Sequence, residues 1–137
     1  MGKTLVIRGA DFSAVAVDNV PVAGGWRTID LTQYSLVGKY LTSAGWKTTG
    51  DGWLIPINDA TKLRFTANSV GKGQISLCAG TTTSGSYITD STVTLDAGAS
   101  TQDDVVFADF PTAQGIFVAH NYGSENRIPS ILQLYYP

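Results

Sequence analysis

Charge is scarce in this chain. Asp, Glu, Lys and Arg together make up 15% of its 137 residues, against about a quarter in ordinary soluble domains. That deficit excludes a charge-laced helical protein. Thr, Ser, Gly and Asn stand in its place, which suits tightly turned strands and surfaces that meet other protein without stranding desolvated charge. The net charge is −2, with nine basic residues scattered from Lys3 to Arg127. No basic stripe of the kind that neutralises a phosphate backbone is present, so nucleic acid is not an expected partner.

Cysteine and histidine are scarcer still. Cys78 is the single cysteine, which rules out an intramolecular disulfide and any thiolate cluster within one chain. It sits in the alternating run QISLCAG at 74–80, where a small buried residue is expected. His120 is the single histidine, too few to join Cys78 in a tetrahedral zinc set. It has no G-x-S-x-G nucleophile elbow to serve as base, and it is expected to be an ordinary strand residue. The carboxylates Asp96, Asp103, Asp104 and Asp109 lack EF-hand spacing and read as solvated loop groups. The Gly-Lys-Thr at 2–4 lacks the upstream glycine of a phosphate loop. The expectation is a non-enzymatic protein with no cofactor and no metal.

Long apolar runs are missing too. Leu5, Val6 and Ile7 are followed at once by Arg8 and Asp11, too short a stretch for the apolar region of a secretory leader. No segment reaches the ~20 apolar residues of a membrane span. A soluble chain without an export signal or membrane insertion is expected.

What the chain does have is period-two alternation. Over 61–68, Leu63, Phe65 and Ala67 point one way and Lys62, Arg64, Thr66 and Asn68 the other, predicting one buried and one wet face. Residues 74–79 repeat this, with Ile75, Leu77 and Ala79 inward and Gln74, Ser76 and Cys78 opposite. Between them SVGKG at 69–73 predicts a hairpin loop with two glycines available for positive φ. Further strands are predicted at 4–8, 26–31, 39–42, 53–57, 86–89, 92–95, 104–107, 116–121 and 130–136. Turns are predicted at 23–25, 50–52, 82–85, 97–100 and 122–126. One-turn helical pieces are expected at 13–18 and 31–35, opened by Ser13 and Asp30 as caps. Short strands about every ten residues predict an all-β, antiparallel β-sandwich. The chain is read as a single domain: an N-terminal strand and arm over 1–25, then the sandwich over 26–137.

Aromatics carry the functional potential. Trp46, in the glycine-rich segment SAGWKTTGDG, and Tyr122, in HNYGSEN, are the candidate glycan contacts, because a sugar ring lays its C–H face on an aromatic plane. The same rings also suit a core or a subunit interface. Both ends of the chain carry more apolar residues than a monomer needs. Leu5, Ile7, Phe12, Val15 and Val17 in the arm, with Leu134, Tyr135 and Tyr136 at the C-terminal end, are therefore the candidate interface.

Two patterns together carry a family resemblance. One is the opening run KTLVIRGADFSAVAVDNV at 3–20. The other is the series GKY at 38–40, WLIPI at 53–57, KLRFTAN at 62–68, SYI at 86–88, DDVVFADFP at 103–111, GIFVAHN at 115–121 and PSILQL at 129–134. The chain resembles the β-sandwich modules of fibre and adhesion-type virion proteins of phages infecting gut Bacteroidetes, and of related prophage proteins. The resemblance implies a jelly-roll-like sandwich preceded by a structural leader. It further implies a virion structural protein assembled in the bacterial host cytoplasm: a capsid decoration, head-fibre or tail-appendage subunit. Its implied partners are other virion proteins and further copies of itself, with a host-surface glycan as a further ligand. A carbohydrate-binding module or lectin-like adhesin is the alternative function.

Overall fold

The computed structural model describes residues 24–137. The strand expected at 4–8, the turn at 13–18, and the candidates Leu5, Ile7, Phe12, Val15 and Val17 lie outside the described residues.

Eleven strands are present among the described residues. They are β1 (Gly25–Thr28), β2 (Tyr40–Thr42), β3 (Gly45–Lys47), β4 (Gly50–Pro56), β5 (Lys62–Ala67), β6 (Lys72–Cys78), β7 (Val93–Asp96), β8 (Val105–Val106), β9 (Gly115–Tyr122), β10 (Glu125–Asn126) and β11 (Pro129–Tyr136). The first sheet runs β1-β11-β5-β8. The second runs β4-β9-β6-β7, with β10 beside the end of β9, and β2 pairs only with β3. Every pairing is antiparallel. Setting aside β2, β3 and β10, the chain order of the other strands makes the two sheets 1-8-3-6 and 2-7-4-5. That is the strand order of a jelly roll, the double-sheet solution in which long connections alternate between layers. The sandwich predicted from alternation and turn spacing is therefore present, with a β2–β3 hairpin inserted after the first strand.

The main core lies between the sheets. Leu63, Phe65, Leu132, Leu134 and Tyr136 meet Trp53, Ile55, Ile75, Leu77, Ile116 and Val118. Residues 61–68 behave as their alternation predicts, with Leu63, Phe65 and Ala67 buried and Arg64 exposed. Asn68, expected on the wet side, is buried. The second sheet departs further from the one-wet-face expectation. Gln74, Ser76 and Cys78 are as buried as Ile75 and Leu77, because the β2–β3 hairpin lies over that face. Tyr40 and Leu41 join Leu54, Cys78, Phe117 and Ala119 there in a second core.

The hairpin expected at 69–73 is not one. β5 belongs to the first sheet and β6 to the second, so this segment is a corner between layers, and a ladder across it would have kept both strands in one sheet. Asn68 holds the corner. Its amide nitrogen donates to the carbonyls of Ile128 (2.9 Å) and Lys72, while its oxygen accepts the Val70 N–H (2.9 Å). Gly73 serves close approach rather than positive φ: a Cβ there would stand 2.7 Å from the Ala67 Cα. The turn expected at 50–52 lies inside β4, where the register shifts between Asp51 and Gly52. A Cβ on Gly52 would lie 2.4 Å from the Phe117 ring, so the missing side chain makes room for that ring. Residues 86–89 form no strand, only a single bridge from Tyr87 to Cys78. β10 lies in a segment expected to be a turn, and β3 in one for which no strand was expected. Near residue 31 the capping expectation holds: the Asp30 carboxylate accepts from the Thr32 N–H (3.0 Å) and hydroxyl (2.6 Å), opening a single turn of 3-10 helix, Leu31–Gln33. Those bonds hold the Asp30 carboxyl below its usual range.

Asn68→Ala strands two carbonyls and one N–H at a partly buried corner and is expected to cost about 2–3 kcal/mol. Urea denaturation of the two proteins measures this, and a loss below about 0.5 kcal/mol would show that the corner does not depend on Asn68.

Candidate functional site

Two aromatic surfaces stand out, one on the outer face of each sheet. On the first sheet, alternation along β5 and β11 turns Lys62, Arg64, Gln133 and Tyr135 away from the core, and register sets them side by side: Arg64 opposite Gln133, Lys62 opposite Tyr135, and Tyr135 opposite Trp26. The Arg64 guanidinium lies 4.0 Å from the centre of the Trp26 ring, and its Nε donates to the Gln133 carbonyl (2.7 Å). Gln133 in turn donates to the Thr28 hydroxyl (3.0 Å). Trp26 meets Tyr135 edge-on at 5.3 Å. Lys62 lies 4.8 Å from the Tyr135 ring centre and pairs with Asp104 (3.1 Å). Beside this layer Ile131, 50% exposed, borders a hollow of about 270 Å³ with Thr66, Ser100 and Thr101. No element covers this face among the described residues.

The second surface is a groove of about 270 Å³ between the β2–β3 hairpin and the second sheet, lined by Tyr40, Gln74, Tyr87, Thr92, Tyr122 and Arg127 among others. Arg127 organises it. Its Nε and Nη2 each reach the Glu125 carboxylate at 2.6 Å. Its Nη1 donates to the Gln74 carbonyl (2.8 Å) and the Tyr40 hydroxyl (3.2 Å). The guanidinium also lies 5.1 Å from the Tyr122 ring centre, within cation–π range. Tyr40 and Tyr122 pack at 4.5 Å with their planes tilted by 40°. Burial raises the Tyr40 phenol above its ordinary value despite the adjacent cation. Burial alone would lower the Arg127 pKa, but the bonds to Tyr40 and Glu125 outweigh it and the net shift is upward.

The structure separates the two residues singled out as glycan contacts. Tyr122 is 36% exposed and lines the groove. Trp46 lies in β3, half-buried, with its edge on Phe117 (5.5 Å) and its indole N–H donated to the Gly85 carbonyl (2.8 Å). A row of ring contacts, Trp46 to Phe117 to Tyr40 to Tyr122, runs between them. Of the C-terminal interface candidates, Tyr135 lies on the outer face of the first sheet. Leu134 (1% exposed) and Tyr136 point into the core, so their apolar area is already buried within the chain. Sequence reasoning missed Arg64, Gln74 and Arg127. Only the i, i+2 spacing of Glu125 and Arg127, which puts both on one side of an extended segment, was available as a signal.

His120 is half-buried in β9, 5.3 Å from the Trp53 ring. Cys78 is buried, and burial pushes its thiol up. Among the described residues, no group of three or more His, Cys, Asp or Glu is placed to hold a metal ion. No helix among them is long and apolar enough to cross a membrane. Set against known protein families, curated proteins and solved structures, the chain matches none.

Burial raises Tyr136 as it does Tyr40 and Cys78. All three are neutral when protonated, so the unfolded chain releases their protons first as pH rises. The folded state then binds more protons than the unfolded one, and stability falls with pH. Stability is expected to stay level up to about pH 8 and to fall above about pH 9, where unfolded thiols and then phenols ionise. Urea midpoints from pH 7 to 11 test this. A midpoint that does not fall across that range would contradict the burial of these groups.

Proposed function

We propose that the chain is a non-enzymatic structural subunit of a phage particle, docking to other virion proteins and to copies of itself through the outer face of the first sheet. The observation that carries this is the contrast between the two sheets. The second has its outer face covered by the β2–β3 hairpin. The first leaves Arg64 and Ile131 exposed and Trp26 and Tyr135 half-buried beside them, with the polar groups already ordered by their neighbours. Trp, Tyr and Arg are the residue types that concentrate binding energy at protein interfaces. Because these side chains are held in place before binding, docking costs less ordering entropy than it would with free rotamers. The jelly roll is itself common to capsid and lectin domains, so the fold accommodates the role without selecting it. The family resemblance supplies the virion setting.

The wild-type chain is expected to be oligomeric by light scattering at micromolar concentration. Arg64→Glu with Ile131→Glu places two carboxylates on the docking face and is expected to weaken assembly at least about tenfold, leaving far-UV circular dichroism unchanged. A wild-type protein that stays monomeric would sink self-association, and an oligomer indifferent to the double change would move the interface elsewhere. Removing residues 1–20 is expected to abolish assembly while leaving a folded core, and persistence of the oligomer in that truncation would remove the arm from the contact.

A further inference from the structure

The groove beside the hairpin has a donor pattern that specifies a ligand, independently of the docking face on the other sheet. Gln74 is 5% exposed, and its amide orientation follows from its partners. A guanidinium can only donate, so the bond from Arg127 Nη1 (2.8 Å) requires the amide oxygen on that side, where the Thr94 hydroxyl also donates (3.0 Å). The Gln74 NH₂ group is thereby turned away from both, and it meets no acceptor among the described residues. It is also absent from the sealed, unpaired polar atoms of the fold, which leaves it open to the groove that Gln74 lines. Leaving both amide protons of a residue this buried without a protein partner is costly unless water or a ligand takes them.

Further hydroxyl groups line the same groove, among them that of Tyr40, a side chain only 1% exposed. The Tyr40 hydroxyl oxygen accepts from Arg127 (3.2 Å), so its own proton is unspent. Tyr87 and Thr92 share one hydrogen bond between their hydroxyls (2.8 Å), which uses one of their two protons. Charge, by contrast, is already matched, because Glu125 sits 2.6 Å from two nitrogens of Arg127. A phosphate or carboxylate ligand would therefore find no uncompensated cation here. The Tyr122 ring, 36% exposed, and residues Leu41, Thr42 and Ser43 complete the wall. At about 270 Å³, the space lies just below the range of drug-sized sites, which begins at about 300 Å³.

We infer that this groove binds a neutral saccharide ring, whose C–H face rests on Tyr122 and whose oxygens accept from the Gln74 amide and the Tyr40 hydroxyl. The geometry makes Tyr122 a contact residue and leaves Trp46 out of the site. Glu125 acts through Arg127, as the group that cancels its charge and holds it in place.

The test is amide-resolved NMR titration of the full chain with glucose, galactose, mannose and N-acetylglucosamine, each alone, with glucuronic acid as the charged comparison. At least one neutral sugar is expected to shift the Gln74 side-chain amide signals together with the Tyr122 and Arg127 backbone signals, with half-saturation at about 1 mM. Gln74→Leu is expected to weaken that binding about tenfold or more. Should Gln74→Leu fail to fold, Tyr122→Ala at the half-exposed rim provides the same reading with the core untouched. If none of the four neutral sugars shifts these signals, or if shifts centre on Trp46, or if glucuronic acid binds better than every neutral sugar, the proposal is overturned. Loss of oligomerisation in the docking-face variant leaves this result unaffected, so the two readings fail separately.

Discussion

Phe117 projects from β9 on the side away from the main core, and leaving a ring of that size in water would forfeit about 1.5–3 kcal/mol. It is fully buried instead, edge-on to Tyr40 and Trp46. Much of the architecture follows from covering it. The β2–β3 hairpin lies where it does because Tyr40 and Leu41 close over that face. Residue 52 is glycine because a Cβ would enter the ring. The backbone of β4 shifts register at the same point. Once the hairpin is in place, its outer margin and the second sheet form the two walls of the groove that Arg127 organises.

The result is a sandwich with two unlike exteriors. The first sheet sets its aromatic and cationic residues side by side across three strands, each fixed by a cross-strand partner, which suits contact with another surface of similar extent. The second sheet carries the hairpin on its outer face, with a small concavity at the hairpin's margin whose unspent groups are mostly donors. A broad ordered face and a small donor-rich hollow suit different classes of partner, and their separation on opposite sheets lets one be occupied without obstructing the other.

How far the fold was legible depends on how many faces of a strand are buried. β5 has one wet face, so its alternation predicted Leu63, Phe65 and Ala67 correctly. β6 and β9 are covered on both sides, so polar Gln74 and Ser76 read as surface while being buried. The glycines at 71 and 73 look alike whether a chain reverses in a hairpin or crosses between layers, because both need close backbone approach. Only the partner of each strand distinguishes the two, and pairing is a long-range property. The site divides in the same way. Tyr122 could be picked out as an aromatic in a polar turn. Gln74 and Arg127, 53 residues apart, carry no local mark of their meeting, which depends on β10 lying alongside β9 and on the hairpin closing over Tyr40.

The pairing of β1 with β11 has a mechanical consequence. Gly25 lies opposite Tyr136 and Thr28 opposite Gln133, so the described chain enters and leaves at the same end of one antiparallel ladder. Tension applied between Gly25 and Tyr136 loads the first rung alone, then the next, and peels β1 away at low force. Strands pulled from opposite ends would share the load across all rungs at once. Held at Gly25 and Tyr136, the described chain would give way rung by rung, whereas a grip on the outer face of the first sheet bypasses that line of failure.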